Sequence, residues 1–205
     1  DHMNSGHVFA ARVRHHLRDD LQRFIDEDKL VLGVCNGFQV MVKLGLLPGL
    51  DGDFFNPTVA LIQNDCATFQ NHWVRLRMEG RASGIYFDGL SELDVPIRHG
   101  EGKLFTPDKA VLARIEDEGC VACRYVDPAN GQPTQEAPHN PNGSLNAIAG
   151  LCDPSGRILG MMPHPEAFLY PENHPTWDRD QLTGTLPAQG AGLKLFENAV
   201  RYLSR

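Results

Sequence analysis

The 205-residue chain lacks several features that would have settled its class at once. It has no run of Lys or Arg, and its net charge is −7, so nothing favours nucleic acid or a membrane surface. No apolar stretch is long enough to span a bilayer, and no signal-peptide pattern is read. Internal repeats and low-complexity tracts are missing. No HxH or HExxH spacing is present, so no catalytic metal is expected. The five cysteines are odd in number and scattered, which suits a reducing cytoplasm. Cys120 and Cys123 form a lone CxxC without a second pair or a thioredoxin-like Trp-Cys context, and are expected on one face of a strand.

What remains is an ordinary globular composition, with 41% hydrophobic and 22% charged residues. That length suits one α/β domain over residues 1–205. Apolar residues at Phe9, Val13, Leu17, Leu21, Phe24 and Ile25 predict one helix over 8–26, with His15 and His16 on its exposed face. A strand follows at Leu30–Val34, then a helix from Asn36 to about Leu46. Alternation through Trp73–Met78 predicts a half-wet strand, and 96–104 reads as a strand interrupted by glycines. Thr106-Pro107-Asp108 predicts a helix start, with Thr106 as N-cap and Pro107 in the first position. Strand 121–126 precedes a long polar loop over 127–144. Residues 146–152 and 157–162 flank Asp153-Pro154-Ser155-Gly156 as a hairpin. A last helix is expected over 189–203.

The most informative segment is Gly33-Val34-Cys35-Asn36-Gly37, which has the Gly-x-nucleophile-x-Gly form of a nucleophile elbow with cysteine in the central place. A strand running into a helix across so sharp a turn leaves the thiol at the helix N-terminus. Backbone N–H groups there stabilise negative charge on sulfur or on a developing oxyanion. Glycines at 33 and 37 are expected to avoid collisions with neighbouring elements.

A thiol nucleophile needs a base, and the base needs an orienting group. His164-Pro165-Glu166, just beyond the apolar strand 158–162, offers both. In an extended backbone residues two apart point the same way, and Pro165 restricts His164 to extended conformations. Cys35 and His164, each at a strand end, can then converge on one edge of a sheet. His99, between Arg98 and Gly100, reads equally as part of a site loop or as a β-bulge.

Taken together, Gly33–Gln39, Pro96–Gly102, Asn140–Ser144 with Ile148-Ala149-Gly150, and Gly160–Glu166 resemble the triad-type (class I) glutamine amidotransferases. Within that family they are most similar to the glutaminase subunits or domains of phosphoribosylformylglycinamidine synthases. Asn64, Phe69 and Trp73-Val74 fit the same group. The resemblance covers nearly the whole chain. It implies a flavodoxin-like domain with a central, mostly parallel sheet that hydrolyses glutamine to glutamate and ammonia. By that resemblance Cys35 forms the γ-glutamyl thioester, His164 acts as base and then acid, and Glu166 orients it. Gly33, Asn36 and Gln39 belong to the oxyanion or substrate-binding wall, the Asn36 backbone N–H being one donor. His99, Gly100 and Glu101 form a site or partner loop. No cofactor is implied in this domain. A synthetase partner would use ATP and Mg to aminate formylglycinamide ribonucleotide.

One departure from the family pattern is expected to matter. The family opens with strands and a Gly-Gly loop that supplies a second oxyanion donor, whereas this sequence opens on a helix. An N-terminal portion of the domain is therefore expected to be missing; Asp1-His2-Met3 reads as a cloning scar, and residues 1–6 read also as the remainder of that loop. Losing one donor costs about a hundred- to a thousandfold in rate. Strand 30–34, apolar on both faces, is expected in the sheet interior with a neighbour on each side. Two other readings stay open: a thiol hydrolase or peptidase of the same superfamily, and an inactive, truncated interaction domain.

Overall fold

A computed structural model describes residues 5–205; residues 1–4, and with them most of the segment read as a loop remnant, lie outside the described residues. Ser5 and Gly6 begin helix α1 (Ser5–His16), which is followed by α2 (Arg18–Asp26). The single helix expected over 8–26 is thus two, because Leu17 leaves helical geometry at φ −127°, ψ 9°. The bend lets Ala10 and Val13 of α1 and Leu21 and Ile25 of α2 reach the same core, while Phe9, Leu17 and Phe24 stay exposed.

Strand β1 (Val31–Val34) leads through Cys35 into α3 (Asn36–Leu44). That helix ends two residues earlier than expected, at Gly45 in the left-handed region, whose N–H closes on the Val42 carbonyl. Then come β2 (Ala60–Gln63), β3 (Gln70–Met78), β4 (Glu92–His99), β5 (Glu101–Phe105), α4 (Lys109–Asp117) and β6 (Val121–Val126). The chain closes with β7 (Ile148–Cys152), β8 (Ile158–Met161), α5 (Trp177–Leu182) and α6 (Leu193–Leu203). Helix α4 starts later than expected. Asp108 is its N-cap, accepting from the Ala110 N–H, while Thr106 Oγ1 accepts from the Asp108 N–H one turn earlier.

Six strands form one sheet in the order β1-β8-β7-β6-β3-β4, and β2 pairs with β5 in a separate ribbon. The α/β class holds. Among the described residues the parallel pairing is that of β1 with β8, while the β7–β8 hairpin and the β3–β4 and β6 neighbours return antiparallel. Within those residues β1 has β8 alone as neighbour and lies at the edge, not in the interior. Its far side adjoins an apolar groove lined by Phe9, Leu32, Val40 and Met41. The stretch 96–104 is likewise not one strand: at Gly100 the chain leaves the large sheet for the small one.

The large sheet separates two cores. One face carries α1, α3, α4 and the β2–β5 ribbon; the other carries α6 and the segment around Tyr86 and Phe87. Cys120 belongs to the first core and Cys123 to the second, so the CxxC cysteines do not share a face. A strand alternates its side chains, and residues three apart point opposite ways.

Helix α3 seats the elbow. Gly33 of β1 is in register with Gly160 of β8, making a flat spot on the sheet. A Cβ at Gly33 would lie 2.8 Å from the Gly37 carbonyl carbon and on top of the Met41 sulfur; one at Gly160 would press into Phe38 and, at 2.7 Å, Leu47. Phe38 and Met41 pack on that spot, Val42 and Leu44 are also buried, and each is worth about 2 kcal/mol of apolar burial. Gly37 faces open space, so the elbow depends on the first glycine for room and not on the second.

Candidate active site

Cys35 sits between the last residue of β1 and the first of α3, at φ 52° and ψ −106°. A side chain is rarely found there, and holding it costs about 1–3 kcal/mol, strain typical of functional positions. The turn is pinned on both sides. The Cys35 N–H donates to the Met161 carbonyl at 2.8 Å, the final rung of the β1–β8 ladder, and the Gln39 N–H donates to the Cys35 carbonyl at 3.1 Å. The thiol is 7% exposed and donates to the Arg98 carbonyl at 3.7 Å.

His164 arrives from β8. Because β1 and β8 are parallel neighbours, the segments leaving their C-terminal ends lie side by side, bringing residues 35 and 164 together. The His164 N–H donates to the Pro96 carbonyl of β4 at 2.9 Å, which fixes its backbone. The next three residues, Pro165–Ala167, form a single 3-10 turn. That turn, rather than a continued extended strand, swings Glu166 back, so that its Oε1 lies 2.5 Å from His164 Nδ1. Burial opposes a charge on His164, but Cys35 and Glu166 outweigh it and push its pKa up to about 9. Glu166 is half-buried, which alone would raise its pKa; the facing His164 holds it below the ordinary carboxylate value.

The junction of β4 and β5 closes the cluster. Its carbonyls point at the site's supports in turn: Arg98 to the thiol, His99 to Asn64 Nδ2 at 3.0 Å, and Glu101 to Gln39 Nε2 at 2.5 Å. Gln39 is buried, one turn beyond Cys35 on α3. Asn36 is exposed and opens the helix, with its backbone N–H at the helix start. Gly33 lies inside β1, where its role is close packing. His99 is the last residue of β4 and wholly buried; it follows Arg98, whose carbonyl meets the thiol, and makes no bulge.

Sequence reasoning assigned no role to the polar layer beneath that junction. Asn142 Nδ2 donates to the Gly102 carbonyl at 2.9 Å and to the Tyr125 hydroxyl at 3.4 Å. Ser144 Oγ accepts from the Leu104 N–H at 3.0 Å, and Asn140 Oδ1 accepts from the Gly143 and Ser144 N–H groups. The end of the long polar loop is thus buried and locks β5 in place. Its signal was the density of Asn and Ser in Asn140–Ser144, residues suited to bonding a nearby backbone.

This arrangement places a thiol, an imidazole and a carboxylate together at one end of the sheet of an α/β scaffold. Residues 1–203 match the CobB/CobQ-like glutamine amidotransferase domain family, and the chain belongs to it. Among its relatives is the phosphoribosylformylglycinamidine synthase subunit PurQ of Methanococcus maripaludis (strain C7), 35% identical over all of this chain and 77% of that protein. The subunit of the same name from Dehalococcoides mccartyi is 35% identical over 98% of this chain and 74% of its own length. The structure of PurLQS from Thermotoga maritima contains a similar chain, with a TM-score of 0.64 and 26% identity over 95% of this chain and 71% of that one. No helix of the described residues is long and apolar enough to cross a membrane.

Proposed function

We propose that the chain is the glutaminase component of a phosphoribosylformylglycinamidine synthase. Cys35 Sγ attacks the side-chain amide carbon of glutamine as His164 takes the thiol proton. His164 then returns a proton to the amide nitrogen, and ammonia leaves behind a γ-glutamyl thioester. Water hydrolyses the thioester in the second half, with His164 again as base. Glu166 fixes the imidazole tautomer and stabilises its charged form. The Asn36 N–H at the start of α3 is placed to receive the oxyanion, and Gln39 shapes the adjoining wall.

The observation that carries this reading is the meeting of the strained Cys35 elbow with the His164–Glu166 pair at the ends of β1 and β8, in a chain of the amidotransferase family. The ammonia would pass to a synthetase partner that binds ATP and Mg and aminates formylglycinamide ribonucleotide; the relatives named PurQ support that assignment. A cytoplasmic location agrees with five cysteines that are all free thiols. The test is Cys35→Ala in the assembled synthetase. Glutamate release and glutamine-dependent amidation should vanish, while amidation from added ammonium salt persists. Glutamate release at the parent rate would overturn the reading.

A further inference from the structure

Glu166 is carried by a single 3-10 turn, Pro165–Ala167, with His164 at its head. So short a turn has little rigidity of its own, and its bracing comes from elsewhere in the fold. Two of those braces meet at Trp73. The β3–β4 pairing sets Trp73 opposite Pro96. In the same ladder the Met78 N–H donates to the Ser91 carbonyl at 2.9 Å. Hydrogen-bonded and open pairs alternate along an antiparallel ladder, so Trp73 and Pro96, five residues further on, are an open pair. Side chains of an open pair lie closest together, and both backbones turn their polar groups away from the partner strand. Pro96 therefore aims its carbonyl outward, where the His164 N–H meets it at 2.9 Å. Its missing N–H costs the ladder nothing.

The same indole reaches the other end of the turn. Its ring lies 5.2 Å from that of Phe168, edge-on at 81°. The Phe168 N–H donates to the Pro165 carbonyl at 3.0 Å and so closes the turn, and the Phe168 carbonyl accepts from the Gly192 N–H at 3.0 Å. His174 completes the cluster, 4.8 Å from Trp73 and 5.4 Å from Phe168, with Nδ1 held by Thr176 Oγ1 at 2.9 Å. Edge-to-face rings of this kind attract beyond their buried area and fix each other's orientation. Trp73 thus stands against Pro96, which holds the backbone entering the turn, and against Phe168, which closes it.

We propose that Trp73 is a positioning residue for glutamine hydrolysis, clamping both ends of the turn that aims the His164–Glu166 pair at Cys35. This rests on the glutaminase reading above. The aim can be read directly. Burial opposes a charge on His164, and its pKa reaches about 9 only because Cys35 and Glu166 lie against the ring. A turn that drifts loses both partners at once, and the pKa falls.

The test compares Trp73→Leu, Trp73→Phe, Phe168→Leu and the Trp73→Leu/Phe168→Leu double variant with the parent. Val74→Ala serves as control, since Val74 is the next residue of β3 but packs in the core on the opposite face. Glutamate release is measured in the assembled synthetase, and His164 is titrated by NMR in the full chain. For Trp73→Leu, kcat should fall about tenfold to a hundredfold, the scale of a misplaced catalytic group, with KM within about twofold of the parent. Its His164 pKa should move from about 9 toward 6.5. Trp73→Phe should recover part of both. The double variant should lose no more than the worse single one, because both residues work through one contact. Val74→Ala should lower Tm and leave kcat and the pKa in place.

The proposal is overturned if Trp73→Leu keeps the parent's kcat and pKa, if Phe recovers nothing, if the two losses add, or if Val74→Ala shifts kcat and pKa as far. Should Trp73→Leu fail to fold, Phe168→Leu decides: a lowered kcat and His164 pKa support the proposal, and parent values overturn it. A parent that hydrolyses no glutamine sinks the glutaminase reading alone, because the NMR arm still reports whether Trp73 aims the pair.

Discussion

His164 Nδ1 lies 2.5 Å from Glu166 Oε1, while Nε2 on the far side of the same ring makes no hydrogen bond among the described residues. The carboxylate therefore fixes one nitrogen and leaves the other for chemistry. Replacing it with an amide keeps the shape but removes the charge. Glu166→Gln should bring the His164 pKa down from about 9 toward 6.5. Glutamate release should fall by about a hundred- to ten-thousandfold, the range seen when a base loses its orienting carboxylate. NMR titration of His164 and a glutaminase assay check the two halves. An unchanged pKa would remove Glu166 from the mechanism.

His164 and His99 should give stability opposite slopes with pH. The raised pKa of His164 contributes stability that is whole below pH 6.5 and lost as pH rises through about 9. Glu166 is half exposed, and with solvent screening the loss is on the order of 1–2 kcal/mol. His99 acts in the other direction. Below pH 6.5 the unfolded chain binds a proton that the folded chain refuses until about pH 4, so stability falls between those values. The full effect is on the order of 3 kcal/mol. Urea unfolding at several pH values should show the acid loss in the parent and a weaker loss in His99→Leu. Parallel curves for the two proteins would show that His99 does not titrate in this way.

The two glycines of the elbow should respond differently to alanine. Gly33→Ala forces a methyl into the Gly37 backbone and the Met41 sulfur, so it should cost about 1–3 kcal/mol and disturb α3. Gly37→Ala meets nothing within 4 Å on an ordinary helical backbone, and should be neutral or stabilising by up to about 1 kcal/mol. Thermal unfolding of the two variants separates them. Equal losses would contradict the packing described for β1 and α3.

The five thiols should fall into three groups. Cys66 is exposed, and hydrogen bonds from Thr68 and Gln70 hold its pKa below the usual thiol value. A small general alkylating reagent should modify it first. Burial raises the pKa of Cys120, Cys123 and Cys152, that of Cys120 and Cys152 to about 12, and these should react only after unfolding. A glutamine-like electrophile should select Cys35. In Cys66→Ser, peptide mapping should find label at Cys35 alone and glutamine hydrolysis unchanged. Label on Cys120 in the folded protein would show that the core is more open than described.

Much of the site was legible because its signals are local. The elbow is written in five residues, and Glu166 stands two positions from the histidine it orients. The Asp153–Gly156 hairpin also formed as read, closed by the Gly156 N–H on the Asp153 carbonyl. The failures share one physical cause. Apolar period gave one helix over 8–26, yet a bend at Leu17 preserves that period nearly unchanged while turning half the helix. Residues 96–104 read as one strand interrupted by glycines, yet the pattern does not say which sheet a strand joins, and at Gly100 the two halves part. The 3-10 turn after His164 was likewise hidden, since Pro165 fits the first position of a helical turn as well as an extended strand.

The sequence by itself determined that Cys35 stands on a strand-to-helix turn, that His164 and Glu166 stand two residues apart just beyond a strand, and the α/β class. Those follow from backbone sterics and side-chain period within a few residues. Only the tertiary structure decided that the Arg98 carbonyl meets the thiol, that His99 is buried and neutral beside His164, and that Asn142 and Tyr125 support the β4–β5 junction. Those contacts join residues far apart in the chain. Their existence depends on which strands pair and how the core closes, a choice made by the burial of the whole chain and not by any one segment.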